Sequence, residues 1–157
     1  MRTKVDISLD KVAKMMGNQT ERVEQMLIRR LQYIGEECIT IARNLGEEYR
    51  GLSAEELEAR RHQPHQPNYI DDTGNLRQSI GYLVAKDGKV LKSDLKNANA
   101  ENLASSVLND HKEGIVLIMV AGMEYAESVT AKGYDVLSSA AITAKVKFLE
   151  YVKKMFK

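Results

Sequence analysis

Residues 80–91, Ile-Gly-Tyr-Leu-Val-Ala-Lys-Asp-Gly-Lys-Val-Leu, hold the pattern that decides the fold of this chain. The first six residues are apolar and partly β-branched, which is typical of a strand. Asp87 and Gly88 follow, and this pair readily adopts the left-handed backbone of a tight turn. Val90 and Leu91 then begin a return strand. The stretch therefore predicts an antiparallel hairpin.

A second apolar run, Ile-Val-Leu-Ile-Met-Val-Ala at residues 115–121, lies between two glycines. Its length suits a buried strand better than a helix. Between the hairpin and this run, residues 99–109 predict a short helix that turns Leu103, Val107 and Leu108 inward. The region as a whole predicts a small, mostly antiparallel sheet.

Before the hairpin, apolar side chains recur in alternating steps of three and four. They are Leu27, Leu31, Ile34, Cys38, Ile41 and Leu45. This is the period of one helical face, and it predicts a helix from about Thr20 to Leu45. The charged residues between them are expected on the solvated side, namely Arg29, Arg30, Glu36, Glu37 and Arg43. A separate short helix is predicted before it, with Ser8 as its cap and Gly17 at its end.

The C-terminal segment predicts an amphipathic helix. One face carries Leu137, Ala141, Ala144, Phe148, Val152 and Met155. Lys147 is expected to lie away from that face. Nearer the middle of the chain, Ser53 and Glu56 form a capping box that opens a short charged helix.

Together these elements predict an α+β fold, in which a long N-terminal helix and a C-terminal amphipathic helix cover one face of the sheet. The chain is expected to form a single domain, 1–157. Within it, 1–61 is the helical part, 62–72 is a loop that contains both prolines, and 73–157 is the sheet plus the C-terminal helix.

The composition argues against several classes of protein. A net charge of +1 argues against a protein whose main task is to grip DNA, so any basic patch must be local. The single cysteine, Cys38, rules out an internal disulfide. We see no secretory signal at the start of the chain and no run near the ~18 apolar residues of a membrane span. The composition predicts a soluble protein made inside the cell, with no membrane partner.

Residues that carry chemistry do not converge. His62 and His65 have a spacing that suits a metal on a helix, but they flank a proline, and a polar loop is favoured over a metal site. Cys38 falls on the apolar stripe, which favours a buried thiol over a nucleophile. Glu124 and Glu127 lack a placed acid partner, and the glycines form no phosphate-binding loop. The sequence predicts no metal, no cofactor and no enzyme activity.

Two segments resemble a known family. They are Asp-Thr-Gly-Asn-Leu-Arg-Gln-Ser-Ile at 72–80 and Gly-Met-Glu-Tyr-Ala-Glu-Ser-Val at 122–129. Their order around a strand pair, followed by a closing helix, is similar to that of the tail-completion (head–tail joining, minor tail) proteins of long-tailed bacteriophages and prophages. The resemblance covers roughly residues 72–157.

That resemblance implies a structural virion protein, made in the cytoplasm of the bacterial host, that forms a ring between the head connector and the tail tube. DNA would be only passing cargo. Eight residues are implied as interface or fold-defining positions: Thr73, Gly74, Leu76, Arg77, Ser79, Tyr125, Ala126 and Val129. Thr73 can cap a short helical turn, Gly74 permits a tight turn, and Arg77 offers a rigid fork for a carboxylate. Whether these residues contact a partner or only fix the fold stays open at this point.

A second hypothesis keeps the long helix as the functional element. On this reading the chain is an interaction or regulatory module of a mobile element, and it dimerises through the stripe from Leu27 to Leu45 in the manner of a coiled coil. The substitution Ile34→Asp separates the two hypotheses. It abolishes dimerisation without unfolding if the stripe is an interface, and it unfolds the domain if the stripe is core.

Overall fold

A computed structural model of the protein describes residues 9–45, 51–61, 69, 73–124, 126–132 and 134–155. The helices are α1 (Leu9–Asn44), α2 (Ala54–Arg61), α3 (Asn75–Ser79), α4 (Ala98–Asn109), α5 (Ala126–Ala131) and α6 (Ser138–Met155). The strands are β1 (Ile80–Lys86), β2 (Lys89–Asp94) and β3 (Ile115–Ala121). The predicted α+β class is confirmed.

The sheet has the order β2-β1-β3, and both pairings are antiparallel. The predicted hairpin is confirmed, and its turn places Asp87 at φ 50° and Gly88 at φ 76°. Leu91 has no partner in the ladder, because Val84 pairs with Lys92 and Ala85 with Val90. Such a bulge adds local twist to an edge strand.

Both faces of the central strand β1 are buried. Along β1, Ile80, Tyr82 and Val84 face α1, and the alternate residues Leu83 and Ala85 face α4. This follows from the two-residue period of a strand. The long and C-terminal helices lie on one side as predicted, and α4 covers the other side.

The inward face of α4 differs from the prediction. Leu103 is 44% exposed, whereas Ala100, Ala104 and Leu108 are buried. Small side chains let the helix approach the sheet closely: a Cβ added at Gly122 would lie 2.4 Å from the backbone nitrogen of Ala100. The alanine face therefore packs, and Leu103 is left at the margin.

α1 is one continuous helix, so the predicted end at Gly17 is wrong. Thr20 does not begin a second helix, since its Oγ1 donates to the backbone oxygen of Met16 at 3.0 Å. A glycine inside a helix costs only about 1 kcal/mol, and the hydrogen-bond ladder continues through it. The predicted cap, Ser8, lies outside the described residues. Residues 14–22 are exposed, so this part of α1 extends past the core.

Part of the predicted stripe of α1 is core, while Leu27 and Ile41 are only half-buried. Leu31, Ile34 and Cys38 are buried and form one cluster with Ala140 and Ala144 of α6. The expected solvated side is partly engaged as well. Glu37 pairs with Lys147, which therefore does not lie away from the packed face of α6 as predicted.

Arg30 is also engaged. Its guanidinium lies 5.2 Å from the ring centres of Tyr33 and Tyr151, so it joins α1 to the last turns of α6. A cation over an aromatic face is attracted by the charge distribution of the ring.

The capping box before α2 is confirmed. The backbone nitrogen of Ser53 donates to Glu56 Oε2 at 2.8 Å, and that of Glu56 donates to Ser53 Oγ at 3.3 Å. Of the predicted loop 62–72, only Tyr69 is described. Its ring is fully buried, and its hydroxyl donates to the backbone oxygen of Ala42 at 3.0 Å. Among the described helices, none combines the length and the apolar character needed to cross a membrane.

Candidate interaction site

The threonine–glycine turn sets the start of α3. Gly74 is the N-cap and has φ 76° and ψ −2°, a left-handed conformation that suits glycine. Thr73 lies one residue earlier, and its Oγ1 accepts a long bond of 3.4 Å from the backbone nitrogen of Asn75. Gly74 therefore forms the turn before α3, and Thr73, predicted as the cap, lies one residue outside the cap position.

The following residues fix the turn to the sheet. Leu76 is 1% exposed and lies in the same cluster as Ile80. Ser79 is fully buried, and its hydroxyl donates to the backbone oxygen of Leu76 at 2.7 Å. Arg77 is half-buried. Leu76 and Ser79 thus define the fold rather than offer a surface.

The second segment meets the first at one end of the sheet. The backbone nitrogen of Gly122 donates to the backbone oxygen of Ser79 at 3.1 Å, and that of Ala126 donates to Met123 at 3.0 Å. Ala126 is buried, and Val129 packs against the same core. Tyr125 lies outside the described residues. The two segments that carry the family resemblance are therefore joined in space.

Arg43 of α1 binds the same end of the sheet, where β1 starts and β2 ends. Its Nε and NH2 donate to the backbone oxygen of Ile80 at 3.1 and 2.7 Å, and its NH1 donates to Asp94 Oδ2 at 2.8 Å. One side chain of α1 thus ties together the start of β1 and the end of β2. The sequence placed Arg43 on the solvated side because helical periodicity carries no information about a strand far along the chain.

A polar cluster borders β2. The Tyr82 hydroxyl donates to Glu36 Oε1 at 3.2 Å, and Lys92 Nζ lies 3.6 Å from the same oxygen. Burial of the ring, together with the nearby carboxylate of Glu36, raises the pKa of Tyr82 above its ordinary value. These side chains are mutually paired, which makes the cluster a contact between α1 and the sheet.

Cys38 lies inside the core. It is fully buried, and burial raises the pKa of its thiol, with the Glu37 carboxylate as a second cause in the same direction. A raised pKa leaves little thiolate at neutral pH. The predicted burial of Cys38 is confirmed.

A further surface of the described chain is the outer edge of β3, called here the β3 edge. β3 is an end strand of the sheet and carries no charged residue over its seven positions. Five of these positions are half-exposed. Such an edge presents unpaired backbone groups to another chain.

Apolar side chains border the β3 edge on both sides. Leu103 and Val107 of α4 lie on one side, and Leu137 and Ala141 lie on the other. The surface is therefore an apolar groove with a strand edge at its floor. The sequence identified β3 as a strand, but it did not show that β3 is an end strand, since strand order is a tertiary property.

Within the described ranges, no group of three or more His, Cys, Asp and Glu side chains is placed to hold a metal ion. His62 and His65, weighed as metal ligands from the sequence, lie outside those ranges.

No protein-family model, no curated protein and no solved structure matches this chain.

Proposed function

We propose that this chain is a structural virion protein of a tailed bacteriophage or prophage. It acts in tail completion, at the joint between head and tail, by assembling into a ring and by contacting the connector and tail-tube proteins. DNA passes through the ring as cargo. The protein is made in the host cytoplasm and ends in the virion, and it works by contact rather than catalysis.

The observation that carries the proposal is the β3 edge. A strand edge without charge, set between apolar side chains of two helices, suits a chain that joins other protein chains. The joined segments at residues 73–79 and 122–129 support it, because their buried members stabilise the end of the sheet next to that edge.

The test is deletion of the gene from its phage or prophage genome. We expect induced cells to accumulate DNA-filled heads and separate tails in negative-stain electron microscopy, and a plasmid copy of the gene to restore joined particles. A plasmid copy with an early stop codon is the control. Joined, infectious particles from the deletion strain would refute the proposal.

The second candidate is a module that dimerises through its long helix. Leu31, Ile34 and Cys38 are occupied inside their own chain, so they are not the dimer surface. The observation that favours a helix-mediated contact is that Met15, Met16 and Met26 of α1 are exposed. Loss of self-association on changing all three methionines to glutamate, with the β3 edge intact, would favour this candidate.

A further inference from the structure

We infer that copies of this chain join head to tail, with the β2 edge of one copy added to the β3 edge of the next. The inference rests on the proposed function, because a closed ring requires each subunit to present two different, complementary surfaces. In the described part of the chain, β2 and β3 are the two end strands of the sheet, on opposite sides of β1, and neither pairs with a further strand. They are the two surfaces that the ring needs.

The backbone of β3 is ready for such an addition. Asp87 N–H donates to the oxygen of Gly114 at 2.8 Å, and Gly122 N–H donates to Ser79 at 3.1 Å. Antiparallel partners exchange bonds at every second residue. The even-numbered residues of 115–121 therefore bond β1, and the backbone N–H and C=O groups of the odd-numbered residues point to the open edge.

Strand direction permits a continuous sheet. β2 and β3 both run antiparallel to β1, so they run parallel to each other. A second copy in the same orientation then sets its β2 parallel to β3 of the first. Lys89 and Ile115 are both opposite Lys86, and Asp94 and Met119 are both opposite Tyr82, so the two edges run alongside the same part of β1.

Charge disfavours one pairing of β2 with β2. Lys89 lies at one end of the β2 edge, and Lys96 lies just past the other end. Lysines and a bulge are features that keep an edge strand from pairing with another copy of itself. Two antiparallel β2 edges with Lys89 opposite Lys96 would bring like charges together.

The ends of the β3 edge carry the opposite charge. Glu113 lies two residues before β3, and Glu124 and Glu127 follow its far end; all three side chains are exposed. In the parallel arrangement, Lys89 of one copy approaches Glu113 of the next, and Lys96 approaches Glu124. Opposite charges at the two ends fix the register, while the apolar centre of β3 meets Val90 and Leu91, which are 46% and 43% exposed.

Charge reversal tests the inference by sedimentation velocity and mass photometry. The variant Lys89→Glu/Lys96→Glu and the variant Glu113→Lys/Glu124→Lys each oppose like charges at every joint. We expect each alone to lose the wild-type oligomer, with at least tenfold weaker association. The quadruple variant restores opposite charges and is expected to regain the oligomer. In a mixture of the two double variants, each joint between unlike copies is complementary, so oligomers in which the two variants alternate are expected to assemble.

The matched control is Lys153→Glu/Lys154→Glu in the last turn of α6, at the end of the helix opposite to Ala141, which borders the β3 edge. It changes the net charge as much as the first double variant and is expected to assemble as wild type. Every changed side chain is exposed, so we expect each variant to fold. Far-UV circular dichroism and a thermal melt check this.

The outcomes separate the inference from the proposed function. If both double variants still form the same ring as the wild type, the edge contact is overturned, but ring assembly itself is not. A β2 variant that still forms a dimer, lost only on changing the β3 side, indicates two-fold pairing of β3 with β3 and also overturns the inference. Wild-type and quadruple chains that both stay monomeric overturn it as well, and the gene deletion then decides the function independently.

Discussion

At the scale of single residues, close backbone approach decides several positions. Gly122 brings the end of β3 against the start of α4, and Gly35 admits the Tyr82 ring, whose nearest atom would be 2.4 Å from an added Cβ. These two glycines let α4 and α1 approach the sheet from opposite faces. Gly17 has a different environment, with no atom within 4 Å of an added Cβ.

Gly122→Ala and Gly17→Ala should therefore act in opposite directions. An alanine at 122 forces backbone against backbone and is expected to lower the free energy of unfolding by about 2 kcal/mol. An alanine at 17 replaces a poor helix former in an open position and is expected to raise it by up to about 1 kcal/mol. Urea unfolding followed by circular dichroism measures both. Equal effects would show that the α4–sheet contact is looser than described.

Tyr82 predicts a pH dependence. Its pKa is raised in the folded chain from an ordinary value of 10.0, so the folded state keeps its proton where the unfolded state loses it. The corresponding stabilisation is complete below pH 10 and is lost as the pH rises from there toward the folded pKa. Urea unfolding between pH 8 and pH 11 should show a steeper decline in wild type than in Tyr82→Phe. Parallel declines would contradict the raised pKa.

At the scale of elements, the sequence predicted what short-range patterns determine. The Asp87-Gly88 turn and the apolar run of β3 are local signals, and both appear where expected. The prediction that a helix ends at Gly17 was wrong, because the low helix propensity of one glycine is a small effect when the backbone hydrogen bonds of the helix continue on both sides. Arg43 contacts Ile80 and Asp94, which follow it in the chain by 37 and 51 positions, so no local sequence pattern could reveal these contacts.

The candidate site divides in the same way. Gly74, Leu76 and Ser79 were singled out through the segment at 72–80 that carries the family resemblance, and the contacts of Gly74 and Ser79 stay within one turn. To predict the β3 edge, one must know the strand order. To predict that Leu103 is exposed, one must know which face of α4 lies against the sheet. Both depend on how elements pack, which the order of residues along one element does not specify.

The stripe of α1 gives the element-scale prediction. Ile34 is fully buried between α6 and the sheet, so Ile34→Asp places an unpaired charge in the core. We expect it to remove ~4 kcal/mol or more, enough to unfold a marginal domain. The neighbouring Tyr33 is 58% exposed, and Tyr33→Asp is expected to change stability by ~1 kcal/mol or less. A folded, monomeric Ile34→Asp variant would instead identify the stripe as a dimer surface.

At the scale of the whole molecule, the two sheet edges differ in chemistry, and this difference predicts how assembly responds to salt. Head-to-tail addition draws on lysines beside β2 and glutamates beside β3, all of them exposed. The screening length falls from about 10 Å at 0.1 M to about 3 Å at 1 M salt. Oligomers held in register by these charges should therefore dissociate as sodium chloride is raised.

An assembly held only by apolar strands would behave otherwise. Two β3 edges pairing across a two-fold axis would bury apolar side chains, and excluded salts strengthen that burial. Sedimentation velocity at 0.05 M and 1 M sodium chloride separates the cases: we expect the oligomer to weaken at high salt, and the quadruple charge-swapped variant to weaken in parallel because its joints are equally complementary. Stronger association of both chains at 1 M would show that the apolar centre of β3 dominates the contact and that charge does not set its register.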